Sequence, residues 1–369
     1  MQVYNLGIVG VGGFGEFLID SYSKLKDVNV YAITSRDEKK LNKICSKYKI
    51  EKGYSTYREL LQDKKVDIVL IATPPFLHYE EVIEAAKSKK HILCEKPLAI
   101  NLKQGKKIKK ALNKYNVNLT MDFILRKNPL IMDLKKFIDK GIFGKTQNFI
   151  FQNFAGDGKL VKDHWFWDRK KSGGIWIEHG VHFFDLFNHL LTSKVKKVIS
   201  TANGKNEDRE DQLMGICKYE NGVMGSFLHS FSKPNEIERT ESLISFDRGY
   251  VKIKGWIPES LEIEGYVSDK ELKIVKKLFK GAKIKTTKTK EKILNVRESE
   301  YKIDKKINIE YKLKKPKQEI YQDSARMIME DFIKKIKNPS SGLDIDVENG
   351  YESLRTAVLF ENNKFIKKV

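Results

Sequence analysis

Glu178 and His182 stand four residues apart in the run Gly173-Gly174-Ile175-Trp176-Ile177-Glu178-His179-Gly180-Val181-His182-Phe183-Phe184-Asp185. A helix puts residues i and i+4 on one face, so a carboxylate and an imidazole would sit side by side, a pairing suited to proton transfer. Asp185, three residues on, could orient His182 or cap a neighbouring element. His179 lies about 100° round the same helix from Glu178 and is set apart from their role. The plain alternative is a buried His182 packed among Phe183 and Phe184, with Glu178 as its hydrogen-bonding partner. Lys96 is a third group. It is one of 60 lysines, and a lysine is ordinarily a solvated side chain. Yet it directly follows the run His91–Glu95 and precedes Pro97, on the edge of a sheet where α/β folds hold their ligands. Desolvated there beside another cation, it would have a lowered pKa and suit proton transfer.

A second set of residues suits phosphate. Gly10-Val11-Gly12-Gly13-Phe14-Gly15 is a complete G-x-G-x-x-G between the apolar run Val3–Val9 and the helically spaced Phe14, Phe17, Leu18, Tyr22 and Leu25. Glycines there permit a tight turn, close approach of a pyrophosphate and close helix–strand packing, and the helix N-terminus adds amides and a favourable dipole end. The strand–turn–helix context separates this motif from an ordinary glycine turn. Cofactor choice shows about 20 residues on, where an acidic residue holds the ribose 2′-hydroxyl of NAD and Arg accommodates the 2′-phosphate of NADP. Ser35 and Arg36 occupy that point, and Asp37 reads as an N-cap for the next helix. A hydroxyl and a guanidinium favour NADP. The alternative is a solvated strand end with Asp37 taking the NAD role.

The elements that must position these residues alternate through segment 3–122. Strands are expected at Val3–Val9, Val28–Ser35, Val66–Thr73 and His91–Glu95, and helices at Glu38–Lys49, Phe76–Lys89 and Asn101–Tyr115. Such alternation specifies a doubly wound parallel sheet, because each parallel pairing needs a crossover helix. Further on, Val251 and Ile253 alternate with Lys252 and Lys254, and Ile307, Ile309, Tyr311 and Leu313 alternate with polar residues, as in half-buried strands. Strands without interleaved helices are expected from about 195 to 315, followed by helices at Gln318–Ile336 and Val347–Phe360.

Two more motifs turn this pattern into a resemblance. Thr73-Pro74 followed by His78 matches "TP-x-x-x-H", and Glu95-Lys96-Pro97-Leu98-Ala99 matches "EKPLA". With the glycine turn, the chain resembles the glucose–fructose oxidoreductase/inositol dehydrogenase (Gfo/Idh/MocA) family. The match continues through Arg126-Lys127-Asn128-Pro129, Gly141–Lys145 and Ser172-Gly173-Gly174 to Asp185, and returns at Asp331-Phe332 and Ser353–Phe360. The resemblance implies an α/β protein: an N-terminal Rossmann domain, taken as 1–122, and a C-terminal α/β domain, 123–369, with an open, mostly antiparallel sheet that often forms a dimer interface. It implies that Lys96 touches nicotinamide ribose and substrate oxygen, and that Glu178 and His182 face the substrate with His182 in proton transfer. Asp is more usual where Glu178 stands. Thr73, Pro74, His78 and Glu95 join the glycine turn at the cofactor, and a cis peptide precedes Pro97. The implied activity is hydride transfer between NADP or NAD and a sugar, cyclitol or related polyhydroxy substrate. A reductase of an imine or another unsaturated substrate, a glycoside-cleaving enzyme and a sensor are the alternatives. Arg126 could hold an anionic or hydroxylated substrate group, or flank a surface helix. Trp165 and Trp167 could stack on a sugar ring, or anchor a core.

Composition narrows the partners. Lys+Arg number 70 against 49 Asp+Glu, a net of +21, but only ten of the basic residues are Arg. Arg is the residue suited to bidentate phosphate and base-edge contacts, so the skew speaks against a nucleic-acid binder. Residues 270–317 hold 18 Lys+Arg and 6 Asp+Glu, a net of +12. Their lysines alternate with apolar residues rather than stacking aromatics, as on a solvated sheet face. Cys45, Cys94 and Cys217 have no metal or redox spacing, and an odd count suits a reducing compartment, the cytoplasm. The glycine-broken stretch Val3–Ile19 is a poor signal peptide, and no metal site or membrane span is expected. A homodimer or homotetramer is the expected assembly.

Overall fold

Residues Val66–Thr73 are almost continuously apolar and β-branched, which suits a strand covered on both faces. In the computed structural model, which describes residues 2–156, 158, 160–161, 163–206 and 209–365, this run supplies a central strand of a six-stranded sheet. Its elements, in chain order, are β1 (Tyr4–Val9), α1 (Gly13–Tyr22), β2 (Val28–Thr34), α2 (Glu38–Tyr48), β3 (Lys52–Tyr54), α3 (Tyr57–Gln62), β4 (Ile68–Ile71), α4 (Pro75–Lys87), β5 (His91–Cys94), α5 (Leu102–Tyr115) and β6 (Leu119–Met121). All pairings are parallel, in the order β3-β2-β1-β4-β5-β6. Ile8, Ile33, Ile68, Leu70 and Leu93 are fully buried, each contributing roughly 1.5–3 kcal/mol. The helices start as their sequences direct: Asp37 accepts from Lys40 N, Asn101 from Gln104 N, and Thr56 with Glu59 forms a capping box.

The remaining elements are α6 (Pro129–Asp139), β7 (Thr146–Gly156), α7 (Arg169–Ser172), a π-helical turn (Trp176–Gly180), α8 (Val181–Leu191), β8 (Val195–Asn206), β9 (Arg209–Tyr219), β10 (Met224–Lys233), β11 (Arg239–Phe246), β12 (Gly249–Lys254), β13 (Ser260–Val267), α9 (Asp269–Leu278), β14 (Lys283–Lys288), β15 (Ile293–Val296), β16 (Ser299–Lys302), β17 (Lys305–Lys312), α10 (Lys317–Lys337) and α11 (Val347–Asn362). A nine-stranded sheet runs β14-β17-β13-β12-β11-β7-β10-β9-β8, antiparallel except at β7/β10. Phe149, Phe187 and Phe227 pack under it, with the Phe149 and Phe187 rings stacked 3.7 Å apart. Helix α9 corrects the expectation of strands alone between 195 and 315. Its signal is local: Ser268 and Glu271 form a capping box, and Leu272 and Val275 are buried.

The chain divides into two compact units, but not at one cut. One comprises Met1–Ile124, Asp163–Asp185 and Tyr321–Val358; the other Leu125–Lys162, Leu186–Ile320 and Leu359–Val369. The boundary expected between 122 and 123 lies beside the first crossing, after Ile124, and the later segments make the division discontinuous. Long-range contacts within the first unit explain it: α4 packs on α7, and Thr120 Oγ1 donates to Ile345 O at 2.8 Å. Among the described residues no helix is long and apolar enough to cross a membrane.

Candidate active site

The turn between β1 and α1 is shaped by two different demands. At Gly15 an added Cβ would lie 2.2 Å from Gly10 O, so only glycine lets the helix approach the strand. At Gly12 and Gly13 an added Cβ would meet nothing within 4 Å. Internal packing therefore does not require glycine at those two positions. Gly12 is the N-cap of α1 and makes no side-chain capping bond, which leaves the first-turn amides facing that space without a side-chain partner. A pyrophosphate fits such a cradle. Phe14 at its rim is partly exposed and lies 5.9 Å, ring to ring, from Tyr321. At the end of β2, Gly10 N–H donates to Thr34 Oγ1 (3.3 Å), and Ser35 Oγ accepts from Asp37 N (3.1 Å). Asp37 Oδ1 accepts from Lys40 N at 3.0 Å, so the capping role read for Asp37 is the one it has. Arg36 is exposed beside it.

Lys96 follows β5, at the C-terminal edge of the parallel sheet, and its peptide bond to Pro97 is cis. Its Nζ lies 2.9 Å from Glu178 Oε1 and 3.1 Å from Glu178 O. The side chains are only 15% and 11% exposed, so the solvated-lysine alternative does not hold. Glu178 reaches this position from the π-helical turn, which the expected α-helix did not include. Gly173 and Gly174, both at positive φ (81° and 97°), redirect the chain into that turn. Such insertions recur at functional sites. His182 is buried one turn further on, at the start of α8. His179 belongs to the cluster after all. Burial, with the Lys96 charge adding to it, pushes its imidazole down to about 3, and its ring lies 6.0 Å from that of His182. Among the described residues no group of three or more His, Cys, Asp or Glu could hold a metal.

Residues 4–123 match the family model "Oxidoreductase family, NAD-binding Rossmann fold", and 131–251 match its companion, "GFO/IDH/MocA C-terminal domain". The chain belongs to the Gfo/Idh/MocA oxidoreductase family. Among relatives of this Gfo/Idh/MocA protein, myo-inositol 2-dehydrogenase of Thermotoga maritima is 28% identical over 227 residues, 60% of this chain and 66% of that protein. The 2,7-anhydro-N-acetylneuraminate hydratase of Escherichia coli is 30% identical over 234 residues, 60% of each. The chain thus spans less than two thirds of the length of these relatives. In fold, levoglucosan dehydrogenase in complex with NADH and levoglucosan superposes with a TM-score of 0.78 at 18% identity, covering 98% of this chain and 97% of that one.

The other expected site residues of this Gfo/Idh/MocA chain differ in their surroundings. Thr73 and Pro74 are half-buried at the end of β4, and Thr73 Oγ1 donates to Glu81, whose carboxyl burial raises to about 7. His78, expected at the cofactor, is fully buried. Its Nδ1 lies 2.7 Å from Pro97 O and its Nε2 2.8 Å from Thr73 O, so the ring ties the two motif loops together through backbone carbonyls. Glu95 is buried beside Asp122, a residue that no sequence pattern singled out. Trp165 and Trp167 are half-buried, while Phe166 between them is buried. Arg126 belongs to the second unit and is buried, which removes the surface-helix alternative.

Proposed function

We propose that this protein is an NADP-preferring dehydrogenase that moves a hydride reversibly between the cofactor and a hydroxyl-bearing carbon of a sugar, cyclitol or related polyhydroxy compound. The observation that carries this reading is the Lys96–Glu178 pair, 2.9 Å apart and shielded at the C-terminal edge of the parallel sheet, where doubly wound folds hold their ligands. The nicotinamide supplies the hydride chemistry when bound. Amides of Gly12 to Gly15 would hold the pyrophosphate, and Ser35 with Arg36 the 2′-phosphate. Oxidation of an alcohol leaves a proton to remove, which Lys96 or His182 takes up and returns in the reverse direction. Glu178 fixes the ammonium through its carboxylate and its carbonyl. Trp165, in the same unit, completes the proposed substrate contacts. The substrate class rests on relatives named for inositol and levoglucosan.

Polyols, aldoses, ketoses and imines offered with NADP or NAD, and followed at the reduced-nicotinamide absorbance, test this reading. No change with any class would sink it, and tighter binding of NADH than NADPH would reverse the cofactor choice. The hydratase among the relatives favours one second reading, transient hydride transfer without net redox. Product formation at constant absorbance would establish that instead. We further propose a cytoplasmic homodimer or homotetramer. Across five strands, Leu243, Ile150, Ser226, Ile216 and Ile199 align in register, and the four apolar members of that row are exposed. A contiguous apolar row suits a second copy; a monomeric mass by light scattering would refute it.

A further inference from the structure

Glu95 and Asp122 are ionisable groups at the end of the parallel sheet that the proposed reaction does not use. They follow Cys94 and Met121, which pair in register on β5 and β6, and Asp122 N–H donates to Cys94 O at 2.9 Å. Residues in register on neighbouring strands, about 4.8 Å apart, direct their side chains to the same face, so the two carboxyls meet. Both residues are buried, and Glu95 Oε1 and both Asp122 oxygens find no donor among the described residues. Two carboxylates cannot bond one another; one proton turns one of them into a donor.

The surroundings support that arrangement. Burial pushes Glu95 well above the usual carboxylate range, and the Asp122 charge pushes it further. Burial also raises Asp122, while a hydrogen bond with Glu95 acts the other way. The titratable groups facing the pair come from several elements. Tyr22 on α1, whose hydroxyl is buried without a partner among the described residues, and Tyr321 on α10 both have raised phenols, from burial first and then from these carboxyls. The Cys94 thiol on β5 is raised for the same reasons. Lys96 is the cation among them, and its charge favours ionisation of either carboxyl.

We propose that Glu95 and Asp122 hold one proton between them and present a single buried negative charge to Lys96, which makes Asp122 a positioning residue of the site. The role at Lys96 rests on the dehydrogenase reading; the shared proton does not. Urea unfolding of the full chain compares wild type with Asp122→Asn, Glu95→Gln and the double variant, all close to isosteric. A raised pKa in the folded state means stability that is complete below the unfolded carboxylate pKa and lost as pH rises. Relative to the double variant, the wild-type unfolding constant therefore grows about tenfold per pH unit from roughly pH 5 upward. A ratio flat with pH overturns the shared proton. The second readout is the ratio of dissociation constants for NADP+ and NADPH. Loss of a charge near the nicotinamide cation shifts it against NADP+ by at least about fivefold in the double variant. That shift exceeds the product of the two single effects, because each single variant keeps one carboxyl able to ionise. An unchanged ratio overturns the role at Lys96. If wild type binds neither nucleotide, the dehydrogenase reading falls and that role with it, while the unfolding arm still decides the shared proton.

Discussion

Buried charge is handled in opposite ways in the two units. In the second unit, Arg248 donates to both Glu271 oxygens (3.1 and 2.7 Å) and to Ile142 O (2.7 Å), and Glu271 also accepts from Ser268. Lys364, 4% exposed, is held between Glu210 and Glu361. In the first unit, Glu95 and Asp122 are buried beside one another as two like charges, and Lys96 has one carboxylate and one carbonyl for its three donor hydrogens. Charges paired with an opposite charge in this way serve the fold. The two like-charged carboxyls and Lys96 gather where β5 and β6 end, beside the glycine cradle of the same unit, where the proposed chemistry would take place.

Four substitutions would break or sharpen that contrast. Lys96→Ala should have the largest effect, lowering kcat/KM for hydride transfer by about 10²–10⁴ and, because it strands the shielded Glu178 carboxylate, lowering the melting temperature as well; steady-state kinetics beside a thermal melt reads both. Arg248→Ala should act on stability alone. Removing one member of a buried pair costs about 3 kcal/mol, taken at the low end because Glu271 is partly exposed, with kcat held within twofold. Denaturant unfolding together with turnover shows whether the two kinds of charge are as separate as their surroundings suggest. Arg36→Ala should weaken NADPH by about tenfold or more, the worth of a charge-assisted contact, and leave NADH nearly untouched, as titration calorimetry would show. A pH-dependent effect is expected at His179, whose folded pKa of about 3 lies below that of an ordinary histidine. Its stabilising contribution is complete above about pH 6.5 and is lost as pH falls toward 3, at up to about 1.4 kcal/mol per unit. His179→Gln should flatten the fall in melting temperature between pH 7 and pH 5. An unchanged slope would mean that His179 is not held neutral.

The sequence by itself determined the parallel sheet, the glycine cradle, the capping role of Asp37 and the motif that contains Lys96. Each of these is written within a few neighbouring residues: hydrophobic period, turn glycines and caps act locally, so their pattern is legible without a partner. The capping box at Ser268 and Glu271 is equally local, and it is the signal that betrays α9 inside the lysine-rich segment. Tertiary structure decided the rest. Asp122 meets Glu95 only because β5 and β6 pair in register, and strand register is a long-range property. His179 joins Lys96 because a π turn rotates the chain past the spacing of an ordinary helix. The burial of Lys96 and Arg126 depends on segments distant in sequence folding over them, since desolvation is imposed by surroundings and not by residue type. Which residues could do chemistry was therefore written locally; which of them are charged, shielded or paired required the assembled fold.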